Sequence, residues 1–175
     1  MSIGNMFNGP GWQSWSQLQA QAWQRATTVR ERNVVSERIG EKGMEIAARD
    51  LGYKPLLLPG EASDTPQGFD AVYRAPDGTY VVAEAKGGYN GDDLDDILGY
   101  GYRCRQGTLE WARRAAERIL IAAKTGSQEQ KIAQELRSRI LTQAPGFGVR
   151  VEVFQTEHNN GVPGVTRRYV TARSQ

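Results

Sequence analysis

Three ionisable side chains fall within two short apolar segments between residues 70 and 86. Asp70 begins the run Asp-Ala-Val-Tyr-Arg, whereas Glu84 and Lys86 end the run Tyr-Val-Val-Ala-Glu-Ala-Lys. Runs rich in Val, Ala and Tyr predict buried strands. Burying a carboxylate or an ammonium among such residues costs free energy unless the charge is paired or binds a metal ion. A site that uses these charges is therefore expected here.

The turn between the two segments decides whether the two acids face each other. Its sequence, Ala-Pro-Asp-Gly, is typical of a type I turn followed by a glycine with positive φ. A hairpin loop of this kind pairs Ala75 with Thr79. Counting back from this pair sets Asp70 opposite Glu84, with Lys86 as a diagonal neighbour on the same face. A loop one residue shorter would instead put the two acids on different faces.

The opposed acids Asp70 and Glu84 predict a cation site. Two carboxylates at facing positions repel each other unless a cation lies between them. Oxygen ligands of this kind suit Mg²⁺ or Mn²⁺, with Zn²⁺ as an alternative. Lys86 could then position an attacking water or offset the charge that develops on a phosphate. The other interpretation is a structural ion pair between Lys86 and one of the acids.

This order of residues resembles the PD-(D/E)XK, or restriction endonuclease-like, nucleases: Asp70, a hairpin, then Glu84-Ala85-Lys86. The resemblance implies an α/β fold, namely an α/β/α sandwich with a mixed central sheet, here with an extra N-terminal helix. It implies a metal-dependent endonuclease in which Asp70, Glu84 and the main-chain carbonyl of Ala85 bind the metal. Lys86 would be catalytic. Phe69 stands where the family has a proline.

A predicted helix upstream of the hairpin supplies a further acid. Residues 40–51 have a helical pattern that stops at Gly52, a residue favoured just after a helix. In the family, the first core helix carries a Glu that joins the metal site and precedes such a Gly-Tyr pair, and Glu41 fits this best. Glu37 and Glu45 lie one turn to either side in the same row. The choice among the three stays open, as does a solvated acidic edge.

Downstream, Gln106 and a glycine precede another predicted helix. Such a Gln-Gly pair after Glu-Ala-Lys is similar to nuclease domains of bacterial polymorphic toxins, including contact-dependent inhibition and type VI effectors. That resemblance implies that Gln106 lies near the metal and the substrate phosphate, although it could also be an ordinary helix-terminal amide. It further implies a secreted or delivered effector, a DNase toxin acting in the target-cell cytoplasm and neutralised by an immunity protein. A tRNA-cleaving toxin, a housekeeping DNA repair nuclease and a non-catalytic binding module of the same fold remain alternatives.

Composition agrees with a globular domain. Of 175 residues, 39% are hydrophobic and 24% are charged, so disorder is not expected to dominate. The single cysteine excludes an internal disulfide. No apolar run approaches the roughly 20 residues of a membrane-spanning helix, so no membrane partner is expected. The net charge of +2 does not by itself indicate nucleic-acid binding, although many arginines follow the hairpin. These include Arg103, Arg105, Arg113, Arg114, Arg118, Arg137, Arg139, Arg150, Arg167 and Arg168.

The N-terminal region differs in character from the rest of the chain. Residues 1–35 are predicted to form a loop and a helix, and residues 36–175 the nuclease-like domain. The helix carries an apolar stripe that is predicted to pack on the core, with a surface for a partner protein as the alternative. The stripe consists of Trp12, Trp15, Leu18, Ala22 and Trp23.

Two helices and two strands are predicted after the motif. One helix buries the face of Leu109, Ala112, Ala116, Ile119, Leu120 and Ala123, and the next begins at a Ser127 capping box and buries Ile132, Ala133, Leu136 and Ile140. Residues 149–153 alternate Val with Arg150 and Glu152, which predicts a half-exposed strand. His158, the only histidine, is predicted to lie at the edge of a surface loop.

Overall fold

The structure is a computed structural model that describes residues 2–3, 7, 9, 11–58, 69–88, 98, 100–101, 104–142 and 148–173. In these residues the protein is mixed α/β, with four helices and a mixed sheet, which confirms the predicted fold class at this level. The helices are α1 (Gln13–Arg25), α2 (Val29–Asp50), α3 (Leu109–Ala122) and α4 (Gln128–Thr142). The strands are β1 (Ser2–Ile3), β2 (Lys54–Leu57), β3 (Ala71–Arg74), β4 (Tyr80–Gly88), β5 (Tyr100–Gly101), β6 (Cys104–Arg105), β7 (Val149–Asn159) and β8 (Val162–Arg173).

Strand β4 occupies an inner position of the main sheet. The six strands of that sheet follow the order β1-β8-β7-β4-β3-β2, and β5 and β6 form a separate pair. β4 therefore has β3 on one side and β7 on the other. Among the helices that the structure describes, none is long and apolar enough to cross a membrane.

The chain divides into two compact units. Unit 1 comprises residues 1–47, 85–97 and 153–169, and unit 2 comprises residues 48–84, 98–152 and 170–175. The boundary predicted between residues 35 and 36 lies inside α2. The compact units therefore divide the chain at different places from the predicted extension and nuclease-like domain.

Helix α2 has a clear signal at each end. At its start, the Thr28 hydroxyl accepts the main-chain N–H of Glu31 at 3.2 Å, and the Glu31 carboxylate accepts the N–H of Thr28 at 3.4 Å. This reciprocal capping box explains why the helix begins well before the predicted residue 40. At its end, Gly52 has a φ of 75° and the N–H of Tyr53 donates to the carbonyl of Ala48 at 2.9 Å. The predicted stop at Gly52 is confirmed.

In unit 1, glycines allow α2 to lie directly on the sheet. A Cβ atom on Gly40 would stand 2.6 Å from the main-chain nitrogen of Gly87. A Cβ on Gly87 would overlap the Ser36 carbonyl, and one on Gly43 would overlap the Thr156 hydroxyl. The main chain of α2 therefore contacts β4 and β7 at a distance that no larger residue permits.

In unit 2, α3 and α4 pack on an apolar core. The hydroxyl of Ser127 accepts the N–H of Gln130 at 3.1 Å, which confirms the predicted capping box. The predicted inward face of α4 is confirmed, and the predicted residues of α3 are either buried or packed against the same core. That core includes Trp111, Ala112, Ala116, Ile119, Ile132, Ala133, Leu136, Ile140, Val149 and Val151.

The tryptophan stripe of α1 contributes to the core of unit 1. Trp23 is buried in a cluster with Val35 and Ile39, and Trp15 packs against this cluster. Leu18, by contrast, is 59% exposed. The predicted packing is thus confirmed for Trp15, Ala22 and Trp23, whereas the exposed Leu18 does not follow it.

Two predictions for β7 are wrong. His158 lies within the strand rather than in a loop and is 2% exposed, because β7 continues to Asn159 before the chain turns. Glu152, predicted to be half-exposed, is fully buried. Its carboxylate accepts the hydroxyl of Tyr53 at 2.9 Å and the Nε of Arg150 at 3.3 Å. These two partners offset the free-energy cost of burying the charge of Glu152.

Candidate functional site

The hairpin has the predicted register. The N–H of Ala75 donates to the carbonyl of Thr79 at 2.9 Å. Strand β3 pairs antiparallel with β4, with Ala71 facing Ala83. One residue further out, the N–H of Asp70 donates to the carbonyl of Ala83 at 3.1 Å. This bond departs from the regular ladder, in which the N–H of Asp70 would point away from β4. The register is therefore confirmed as far as Ala71 and Ala83, and the position of Asp70 across from Glu84 stays a prediction.

The turn that sets the register is stabilised by its own residues. Gly78 has a φ of 85°, a conformation that residues with a side chain rarely adopt. The Asp77 carboxylate accepts the N–H of Thr79 at 3.0 Å and pairs with Arg150 at 2.9 Å. The hydrogen bond from Thr79 is the main reason that the pKa of Asp77 falls to about 2.

The two acids differ in burial. Glu84 is 4% exposed, whereas Asp70 is half-buried. The register pairs between β3 and β4 end at Ala71 and Ala83, yet β4 continues to Gly88. In the part of the chain that the structure describes, the last residues of β4 thus extend beyond β3. Lys86, in this stretch, is partly exposed.

Within unit 1, Lys86 lines a cavity of about 370 Å³ between β4 and α2. The α2 residues at this cavity are Asn33, Ser36 and Glu37. Of the three candidate glutamates, Glu37 is therefore the one that lines this cavity. The atoms of Lys86 that lie close to α2 at Gly40 are main-chain atoms.

The other two candidate glutamates have different surroundings on α2. Glu45 forms an ion pair with Lys42 at 3.2 Å on a partly exposed surface. Glu41 is half-buried, and its predicted part in the site stays a prediction. The sequence did contain a signal that residues 33–37, which include the cavity-lining residues of α2, belong to a helix. The Thr28-x-x-Glu31 capping box begins α2 before them.

The donor set at the hairpin fits a hard divalent cation. Asp70 and Glu84 offer carboxylate oxygens and Ala85 a main-chain carbonyl, and ions such as Mg²⁺ complete such a set with water. Nitrogen and sulfur donors, which zinc sites commonly use, are missing from this set. No group of three or more His, Cys, Asp or Glu side chains that could hold a metal ion occurs among the described residues. The predicted metal ligands stay a prediction.

Gln106 lies in unit 2, the unit that also contains Asp70 and Glu84. It is half-buried in the turn between β6 and α3. Helix α3 begins just beyond this turn, where the hydroxyl of Thr108 accepts the N–H of Trp111 at 3.1 Å. The position of Gln106 ahead of a helix is confirmed, whereas its contact with a metal or a phosphate remains a prediction.

Many of the arginines that follow the hairpin are engaged in ion pairs. Such pairing favours the interpretation of the helix arginines as charge-balanced faces rather than a basic nucleic-acid surface. The pairs are Arg113 with Glu110 and Glu117, Arg114 with Glu110, Arg137 with Glu117, Arg139 with Glu135, and Arg150 with Asp77 and Glu152.

Comparison with known proteins does not assign the chain to a family. No protein-family model, curated protein or solved structure matches the chain. The interpretation of the site therefore depends on its own residues and on the resemblance of its motif.

Proposed function

We propose that the protein is a metal-dependent endonuclease that hydrolyses phosphodiester bonds. The observation that supports this most is the register of the hairpin, which pairs Ala71 with Ala83 and so brings their neighbours Asp70 and Glu84 to the same end of the ribbon. Lys86 follows two residues after Glu84 on the same strand, so period-two alternation puts both on one face. Two acids and an amine on one ribbon suit the hydrolysis of a phosphate ester.

Each residue of the proposed site has a chemical role. Asp70, Glu84 and the carbonyl of Ala85 would hold Mg²⁺ or Mn²⁺, which when bound polarises the phosphate oxygens. Lys86 orients the attacking water and donates to a phosphate oxygen, so that it offsets the charge that develops there. Gln106 orients the substrate phosphate.

The substrate and the biological setting follow from the resemblance to toxin nuclease domains. DNA is the first choice of substrate and tRNA the second. In this proposal the protein is a DNase effector that acts in the cytoplasm of a competing bacterium. An immunity protein would protect the cell that produces it.

The test is cleavage by the purified protein. Plasmid DNA and tRNA are incubated with the protein and Mg²⁺ or Mn²⁺, with EDTA as the blank. We expect metal-dependent cleavage of DNA that Lys86→Ala and Asp70→Asn reduce by a factor of at least about 100, as for loss of a group that acts on the transition state. Lys54→Ala, an exposed lysine at the start of β2, is the matched control and should retain activity. Failure of the wild-type protein to degrade either nucleic acid would refute the proposal.

The second candidate is a non-catalytic binding module. The observation that favours it is that the described residues contain no group of three metal-ligating side chains. Such a module would bind nucleic acid or protein equally well with Mg²⁺ and with EDTA. Gel-shift measurements under both conditions separate it from the nuclease.

A further inference from the structure

Gln155 in unit 1 is a buried polar side chain that lacks hydrogen bonds. It is 1% exposed, and neither the oxygen nor the nitrogen of its carboxamide has a partner in the described residues. Buried polar groups in proteins are nearly always hydrogen-bonded, and leaving one unbonded is unfavourable. The unbonded carboxamide of Gln155 therefore points to a hydrogen-bond partner outside the described residues.

The sheet puts Gln155 on the same face as Lys86. Strands β4 and β7 are neighbours. On one face, Gly87 of β4 and Thr156 of β7 both lie against α2. Because side chains alternate along a strand, the residues that precede them, Lys86 and Gln155, both project from the opposite face.

The start of the two strands fixes their alignment. The N–H of Tyr80, the first residue of β4, donates to the carbonyl of Gly148 at 3.1 Å, immediately before β7 begins. Two adjacent strands that begin together run parallel, and in a parallel pair this bond sets Tyr80 beside Val149. Both residues belong to one core cluster, as this alignment requires. Counting equally along each strand reaches Lys86 on β4 and Gln155 on β7, which are therefore lateral neighbours.

The chemistry of this pair suits an anion. The ammonium of Lys86 and the carboxamide N–H₂ of Gln155 are both donors, and together they match two oxygens of one phosphate. The nearest acid on the same face of β7 is Glu157, and its charge is compensated by an ion pair with Arg167 of β8. The pair of donors therefore lacks an adjacent uncompensated carboxylate on β7 that would repel an anion.

We infer that Gln155 binds the substrate phosphate together with Lys86. The inference rests on the proposed nuclease function and adds a residue that the motif does not contain. It also explains the unbonded carboxamide, since its partner arrives with the substrate. An ordered water as the only partner is the competing explanation, and it predicts no effect of Gln155 on nucleic-acid binding.

The test compares two identical substitutions at buried glutamines. Gln155→Leu is the test, and Gln19→Leu on α1 is the control, because Gln19 is 7% exposed and its carboxamide oxygen also lacks a partner. Gln155→Leu should keep or raise the midpoint of thermal unfolding, since it replaces an unbonded carboxamide with an apolar group. The midpoint of Gln19→Leu is measured beside it. Affinity for a fluorescent DNA duplex is measured by anisotropy in EDTA, and cleavage is measured separately with Mg²⁺.

Loss of one hydrogen bond to a charged group predicts that Gln155→Leu weakens duplex binding by about 10- to 100-fold. The control should bind as the wild type does. Unchanged binding in Gln155→Leu would overturn the inference while leaving the nuclease proposal intact. A wild-type protein that binds but does not cleave would refute the nuclease and leave the role of Gln155 standing. Absence of binding in the wild type would overturn the inference about Gln155, and the nuclease proposal would then be judged by the cleavage measurement with Mg²⁺ alone.

Discussion

In the proposed nuclease, Glu84 is the residue at which stability and function conflict most directly. It is 4% exposed on a strand whose neighbours are Val and Ala, and a buried carboxylate is unfavourable unless compensated. In the proposal, a metal ion is part of that compensation. A buried acid that binds a metal ion should respond to that ion, whereas a purely structural acid should not.

Replacing Glu84 with glutamine tests whether the buried charge binds a metal. The shape of the side chain is retained, so we expect Glu84→Gln to fold with a melting temperature equal to or above that of the wild type. Mg²⁺ or Mn²⁺ should raise the melting temperature of the wild type, because a ligand that binds only the folded state stabilises it. That rise should disappear in Glu84→Gln, whereas Glu45→Gln, on the surface of α2, should retain it. Equal metal responses in all three proteins would argue against a metal at Glu84.

His158 predicts a loss of stability at acidic pH. Burial lowers the pKa of His158 below its ordinary value of 6.5. The unfolded chain therefore binds a proton at a higher pH than the folded chain does, and stability decreases as the pH falls through and below about 6.5. Denaturation by urea at pH 7.5 and pH 5 measures this effect. His158→Gln should show a smaller difference between the two pH values, and an unchanged difference would contradict the assignment.

Among the elements, the β3–β4 hairpin could be predicted from sequence and helix α2 only in part. The register follows from a turn whose residues act locally, so Pro-Asp-Gly was a sufficient signal. The end of α2 at Gly52 is equally local. The burial of Glu152 and His158 could not be predicted from local sequence. It depends on contacts with residues distant in the chain, Tyr53 for Glu152 and Ser36 for His158.

The turn makes a testable contribution of its own. Asp77→Ala removes the acceptor for the N–H of Thr79 and the partner of Arg150. We expect a loss of about 0.5–1.5 kcal/mol in the free energy of unfolding, the usual range for one such hydrogen bond. Asp77→Asn should lose less, because its side-chain oxygen can still accept from Thr79. Urea denaturation at neutral pH measures both, and equal losses would mean that the ion pair dominates.

The contact between α2 and β4 depends on glycine. Gly40→Ala would bring a Cβ to 2.6 Å from the main-chain nitrogen of Gly87, and neither main chain can yield as a side chain would. We expect a destabilisation of about 1–3 kcal/mol, as for other overpacked sites. Gly11→Ala is the control, because no atom lies within 4 Å of its added Cβ. A neutral Gly40→Ala in chemical denaturation would contradict the described contact.

At the scale of the whole molecule, the two compact units share strands. β4, β7 and β8 each contribute residues to both units. A strand cannot lose its pairing in one half without weakening the other half, so we expect the units to unfold together. Trp111 belongs to unit 2, whereas Trp12, Trp15 and Trp23 belong to unit 1. Thermal transitions followed by far-UV circular dichroism and by the fluorescence of Trp111→Phe should coincide, and two separated midpoints would disprove this coupling.

The extension of β4 beyond Ala83 has a consequence for any work on Lys86. In the described residues, the outer part of β4 reaches past the last register pair with β3. Where one strand extends beyond its neighbour, its edge can pair with a strand of a second molecule, and natural sheets often deter this with a lysine. Removing Lys86 would then promote self-association as well as remove an amine. The solution mass of every Lys86 variant should be measured before a loss of cleavage is ascribed to chemistry.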